Sequence, residues 1–150
     1  MERELTISIP GTKKRIYTKL NGSLSKPCVV FVHGLTGFME EHIFFNAVPF
    51  FEKHGFSLCR FHLYDWRNFA RSLTDSTLTL HAQDLDTVVR FLQRKGAKKI
   101  GVVGHSYGGP TILLSRKQSF RAAVLWDPSY KTDIFQKTLW FLLCSGRLDC

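Results

Sequence analysis

Gly104-His105-Ser106-Tyr107-Gly108 is the stretch that most restricts how this 150-residue chain can fold. It lies between two apolar runs, Ile100-Gly101-Val102-Val103 and Pro110-Thr111-Ile112-Leu113-Leu114. The first follows two lysines and has the continuity of a strand buried on both faces of a parallel sheet. Proline is tolerated in the first turn of a helix, where its missing N–H costs little, so the second run predicts a helix lying on that sheet. Glycines two residues either side of Ser106 let strand and helix pass closely; a Cβ at Gly104 or Gly108 would push them apart. A serine on such a turn is held in strained backbone. Its hydroxyl is a weak nucleophile until geometry and a base assist it. Ser106 is therefore the candidate nucleophile.

A second signal lies upstream. Cys28-Val29-Val30-Phe31-Val32 is another continuous apolar strand pattern, and it runs directly into His33-Gly34-Leu35-Thr36-Gly37. With these two motifs in this order and at this separation, the chain resembles the α/β-hydrolase family, from its first strand pattern to about Tyr130. That family carries an HG-x-x-G loop after its third strand and places a nucleophilic serine on a strand-to-helix elbow, G-x-S-x-G. The resemblance implies an oxyanion hole built from the backbone N–H groups of Tyr107 and Leu35, each donor worth roughly 3–4 kcal/mol. Gly34 is expected to let the backbone turn and bring that N–H close. His33 is read as a brace for the loop, and His105 as a packing residue. The implied activity is hydrolysis of carboxylic ester or thioester acyl substrates, a small-molecule chemistry needing no metal or organic cofactor. Transfer of the acyl group to an alcohol is the lesser alternative. Serine at the elbow argues against haloalkane dehalogenase and epoxide hydrolase chemistry, which uses aspartate there.

The family's triad runs Ser, then Asp or Glu, then His along the chain. The six histidines here are His33, His42, His54, His62, His81 and His105, and none follows Ser106. The general base is thus missing from its expected place. Asp127, in Trp126-Asp127-Pro128, is the candidate acid, since a minority of the family places the acid after this strand; Asp133 and Asp149 are weaker candidates. Asp65 falls on the active-site edge, whereas Asp84 and Asp86 are expected to face solvent from a helix. The resemblance also implies strands and helices beyond a sixth strand. The chain is accordingly expected to be the N-terminal part of a hydrolase, truncated after about that strand, with residues 138–150 as a tail of open role. The alternative is a binding or non-catalytic protein that kept the elbow and lost the base.

The remaining pattern supports an α/β fold, a mostly parallel sheet with helices on both faces, in one domain over residues 1–150. Leu5–Ile9 and Arg15–Leu20 alternate as half-exposed strands around the Pro10-Gly11 turn. Glu40–His54 reads as a helix with Ile43, Phe44, Ala47, Val48, Phe50 and Phe51 on its apolar face, although Pro49 stands in its middle. Phe56–Leu63 reads as a strand, Asp65–Thr77 as a polar loop, Leu78–Lys95 as a helix with Leu80, Leu85, Val88, Val89 and Leu92 inward, and 122–126 as the last strand. A strand left at an open edge invites self-association.

A net charge of +9 raises the question of nucleic acid, but the basic residues are scattered, Lys13-Lys14-Arg15 being the densest cluster. A solvated basic surface is expected, with no nucleic-acid partner. No apolar run is long enough to span a bilayer, and residues 1–4 lack the apolar core of a secretory signal; a cytoplasmic location is expected. Cys28 and Cys59 fall in strands, and the four cysteines show neither a disulfide framework nor zinc spacing. Phe38, Tyr107 and Trp126 are candidate pocket aromatics.

Overall fold

The structure, a computed structural model, describes residues 2–116 and 119–129. Six strands form one sheet in the order β1-β2-β4-β3-β5-β6. They are β1 (Glu2–Ser8), β2 (Arg15–Asn21), β3 (Cys28–Val32), β4 (Ser57–Phe61), β5 (Ile100–His105) and β6 (Ala122–Trp126). The helices are α1 (His42–Lys53), α2 (Leu78–Arg94) and α3 (Gly108–Leu113). β3 pairs in parallel with β4 and with β5, β5 pairs in parallel with β6, and the first hairpin adds antiparallel pairing at the other end. The expected mostly parallel sheet with helices on both faces is what the chain forms.

β3 shows why. All five of its residues are buried. Val30 and Val32 point to the face covered by α2, joining Leu85, Val88 and Leu92. Val29 and Phe31 point to the opposite face, against Phe44 of α1. The period of two sends alternate side chains to opposite layers, and each such side chain contributes about 1.5–3 kcal/mol by leaving water. β3 is the central strand, and the two loops that carry the sequence motifs leave from its C-terminal end and from that of β5.

The helices differ from expectation in instructive ways. α2 starts where the Thr77 side chain accepts the Leu80 N–H at 3.2 Å, an N-cap that satisfies one orphan donor. Gly55 and Gly96, just past α1 and α2, take positive φ of 81° and 103°, the left-handed turn that ends a helix. Pro49 lies inside α1 without ending it. Phe50, expected inward, is 59% exposed; only Phe44 of α1 is fully buried, with Ile43, Ala47, Val48 and Phe51 packed partly around it.

Asp84 and Asp86 do not face solvent. Both are buried, because α2 is covered by the 65–77 loop and the α3 region as well as by the sheet. Asp84 takes a two-pronged ion pair from Arg71, at 2.5 and 3.0 Å. Asp86 accepts from the Ser115 hydroxyl at 2.5 Å. Burial pushes the Asp84 carboxyl above its ordinary pKa against the opposing pull of Arg71. β5, read as buried on both faces, is buried on alternate residues only: Gly101, Val103 and His105 are half-exposed. β6 is mostly exposed, and among the described residues it pairs with β5 alone. Cys28 and Cys59 are buried free thiols, while Asp133, Cys144, Asp149, Cys150 and the 138–150 tail lie outside the described residues.

Candidate active site

Ser106 sits between the last residue of β5 and the first of α3, the strand–turn–helix setting that the pentapeptide implied. Its φ is +51°, a left-handed value that a non-glycine residue keeps only where its surroundings enforce it. The enforcement is visible. The Ser106 N–H donates to the Trp126 carbonyl at 3.0 Å, and the Ser106 carbonyl accepts from Gly109 N–H at 3.0 Å and Ser129 N–H at 3.2 Å. The flanking glycines allow the crossing. A Cβ on Gly104 would strike the Gly108 carbonyl, and one on Gly108 would strike the Val32 carbonyl. Both are backbone groups that cannot rotate away.

The Gly34 loop lies alongside. A Cβ on Gly34 would stand 3.4 Å from Ser106 Cβ, so the end of β3 and the elbow are in contact. Gly34 is not among the glycines with positive φ, which corrects the expectation that its backbone freedom is what the turn requires; the left-handed residue of this loop is Thr36, at φ +61°. Bare backbone at 34 instead leaves the Ser106 side chain uncovered.

His33 stands at the root of this loop. It is fully buried. Its Nε2 accepts the Leu63 N–H at 3.0 Å, and its Nδ1 lies 2.8 Å from the Gly34 carbonyl. Accepting at Nε2 puts the proton on Nδ1, which donates to that carbonyl. Burial, the larger effect, lowers the His33 pKa to about 4 despite the Gly34 hydrogen bond, so the ring is neutral at pH 7. The Gly34 carbonyl also accepts from Tyr64 Oη at 3.2 Å and from Gly37 N–H at 3.1 Å. A trans peptide is planar, with C=O and N–H on opposite sides. Three donors on the Gly34 oxygen therefore aim the Leu35 N–H the other way. Neither that N–H nor the Tyr107 N–H donates to another described residue.

Sequence reasoning missed three residues here. Tyr64 stands just beyond β4 in a run with no motif. Ser129 places its Oγ 3.0 Å from Ser106 Oγ, a contact between residues 23 apart that no local pattern announces. His81 is 1% exposed, packed between the rings of Tyr64 at 5.8 Å and Tyr107 at 5.6 Å. Neither of its ring nitrogens has a hydrogen-bond partner among the described residues. Burial and, secondarily, Arg71 lower its pKa to about 4.

The other candidates are dispersed. His105 packs on Trp126, ring centroids 5.6 Å apart, with its Nδ1 3.8 Å from Glu41. Asp127 is exposed at φ +44° after β6 and makes no hydrogen bond or ion pair with another described residue. Asp65 is held by Arg67 at 2.6 Å and lines a cleft with Phe38. No described histidine hydrogen-bonds to Ser106 Oγ; its partner is Ser129. Among the described residues no group of His, Cys, Asp and Glu is arranged to hold a metal ion.

With this geometry in view, the chain can be set beside known proteins. The family profile described as the alpha/beta hydrolase family matches residues 29–148. The chain belongs to that family. Among solved structures, this hydrolase-family chain is similar to Est1E from Butyrivibrio proteoclasticus with ferulic acid bound, at 20% identity and a TM-score of 0.72, over 83% of this chain and 52% of that one. It is similar to the esterase Pf2001 from Pyrococcus furiosus, at 23% identity and a TM-score of 0.69, over 85% and 52%. It also resembles the alpha/beta hydrolase GrgF from Penicillium sp. sh18, at 15% identity and a TM-score of 0.72, over 85% and 46%. The chain thus spans about half the length of these structures. No curated protein matches its sequence. No helix among the described residues is long and apolar enough to cross a membrane.

Proposed function

We propose that this chain carries the nucleophile and the oxyanion-binding backbone of a serine hydrolase acting on carboxylic esters or thioesters. The observation that carries the reading is Ser106 at φ +51° on the elbow, beside a Gly34–Leu35 peptide whose carbonyl is held by three donors. Ser106 Oγ attacks the acyl carbon, its proton passes to a base, and the carbonyl π pair moves onto oxygen. The N–H groups of Leu35 and Tyr107 receive that oxyanion. Collapse expels the alcohol or thiol, which takes up the proton, and water then repeats the sequence to release the acid. An alcohol in place of water gives acyl transfer. None of the described histidines bonds to Ser106 Oγ, so the reading assigns the base to a histidine outside this chain. Asp127 is the acid the reading offers, on its place at the end of β6. The same reading treats residues 1–150 as one domain, and the buried free thiols support a reducing, cytoplasmic setting.

A second reading has an observation of its own. Ser106 Oγ is paired with another hydroxyl, Ser129 Oγ at 3.0 Å, and a hydroxyl does not raise nucleophilicity as a base does. On that reading the chain binds acyl compounds without turning them over, and its exposed β6 edge is a surface for self-association. Hydrolysis of 4-nitrophenyl butyrate separates the two. The first reading expects turnover, with imidazole supplied as the missing base, that Ser106→Ala removes. Turnover that survives in Ser106→Ala contradicts it, and binding of the ester without turnover favours the second.

A further inference from the structure

A cleft of about 390 Å³ opens at the C-terminal end of β4, between the 36–38 turn and the long loop before α2. Its volume lies in the range of small-molecule sites. Trp66, Phe38 and Leu73 wall it, and they are 89%, 49% and 45% exposed. Three large apolar side chains gathered at one concavity are not the scattered apolar surface of an ordinary soluble protein. The cleft is also lined by His62 and Asp65. His62 is buried, its Nε2 stands 3.4 Å from Glu40 and 3.7 Å from Asp65, and its Nδ1 has no partner among the described residues. Asp65 has a fully buried side chain. The site is thus aromatic at its walls and carries buried hydrogen-bonding groups.

We propose that this cleft binds an aryl group bearing a hydrogen-bonding substituent, with the ring against Trp66 and Phe38 and the substituent toward His62 and Asp65. Aromatic walls favour a flat ring over a saturated one of the same size, because stacking adds to area burial. Asp65 is already paired with Arg67, but His62 Nδ1 has no partner among the described residues, and a ring without a hydrogen-bonding substituent leaves it so. The inference deepens, and for its link to catalysis rests on, the reading of Ser106 as nucleophile. His62 follows β4 and Ser106 follows β5, with β3 between them, so the two sites lie two strand spacings apart, about 10 Å. They share the Gly34 loop: the Gly34 carbonyl accepts from Tyr64, which lines the cleft, and Gly34 itself abuts Ser106. An ester with its carbonyl at Ser106 places a ring in the cleft only when its acyl or alcohol arm spans that distance.

The test is a binding measurement independent of turnover. 4-Methylphenol and 4-methylcyclohexanol are titrated by calorimetry into the 150-residue chain and into its Ser106→Ala, Trp66→Ala and Leu73→Asp variants. The last two change exposed side chains and leave the core intact. The expected result is saturable binding of 4-methylphenol, at least tenfold tighter than 4-methylcyclohexanol, unchanged in Ser106→Ala and weakened tenfold or more in the two cleft variants. Failure of 4-methylphenol to saturate, equal affinity for the two compounds, or undiminished binding in both cleft variants overturns the proposal. Binding as expected without ester turnover supports the cleft and counts against the Ser106 reading alone; turnover without binding does the reverse.

Discussion

Ser106 and Ser129 meet twice: their Oγ atoms lie 3.0 Å apart, and the Ser129 N–H donates to the Ser106 carbonyl at 3.2 Å. The loop after β6 is thereby tied to the elbow, and the candidate nucleophile is held by a hydroxyl. A hydrogen bond of this kind is worth about 1 kcal/mol, a factor of about five in a rate. Ser129→Ala is expected to keep the backbone tie, free the Ser106 hydroxyl and raise its acylation rate about fivefold, measured with an activated ester against the wild-type chain.

Tyr64 acts on the other side. Its phenol donates to the Gly34 carbonyl, and burial raises its pKa, so it stays a donor through the neutral range. In Tyr64→Phe one of three donors on that carbonyl is lost, and the Leu35 N–H is less firmly aimed. Loss of about 1 kcal/mol in transition-state stabilisation should lower kcat about fivefold with KM little changed. A change in KM alone would assign Tyr64 to substrate binding instead.

The crossing at the elbow predicts a stability effect. A methyl at 104 or 108 meets a backbone carbonyl first, and at 104 the Ile112 side chain as well. Gly104→Ala and Gly108→Ala should each cost about 3 kcal/mol, the upper range for overpacking. Urea denaturation of each variant checks this, with a lowered midpoint and unchanged slope as the expected outcome.

Two buried neutral histidines set a pH dependence. His33 and His81 have pKa values lowered to about 4 by burial, against about 6.5 in an unfolded chain. Between those values the unfolded state binds more protons, so stability rises with pH there. The contribution is complete above about pH 6.5 and is lost as the pH falls toward 4, at about 1.4 kcal/mol per tenfold difference in proton affinity. Chemical denaturation at pH 7, 6, 5 and 4.5 should show this fall, and His81→Phe should flatten it.

Asp84 and Arg71 make a buried pair. Arg71→Met leaves the carboxylate buried alone and should destabilise the chain by about 3–5 kcal/mol. The double variant Arg71→Met, Asp84→Leu should recover most of that loss, as measured by thermal unfolding.

The fold was legible where local pattern and layer agreed. Cys28–Val32 is apolar at every position because the strand is covered on both faces, and the glycines around Ser106 mark the close crossing of β5, α3 and the end of β3. Legibility failed where a distant partner decides. Asp84 and Asp86 look like polar helix residues until Arg71 and Ser115 arrive from segments 13 and 29 residues away. Phe50 reads as inward by helical spacing, yet among the described residues no layer covers that side of α1. Ser129, Tyr64 and His81 reach the site through tertiary contacts that carry no motif, whereas His33, adjacent to its own hydrogen-bond acceptor, could be read directly.

The account rests on Ser106 being the reactive residue. A fluorophosphonate probe, applied with imidazole supplied as the base and followed by peptide mapping, tests that most directly. Covalent label on the peptide containing Ser106, absent from the folded Ser106→Ala protein, is the predicted result. A folded wild-type chain that takes no label, or takes it equally in Ser106→Ala, would contradict it.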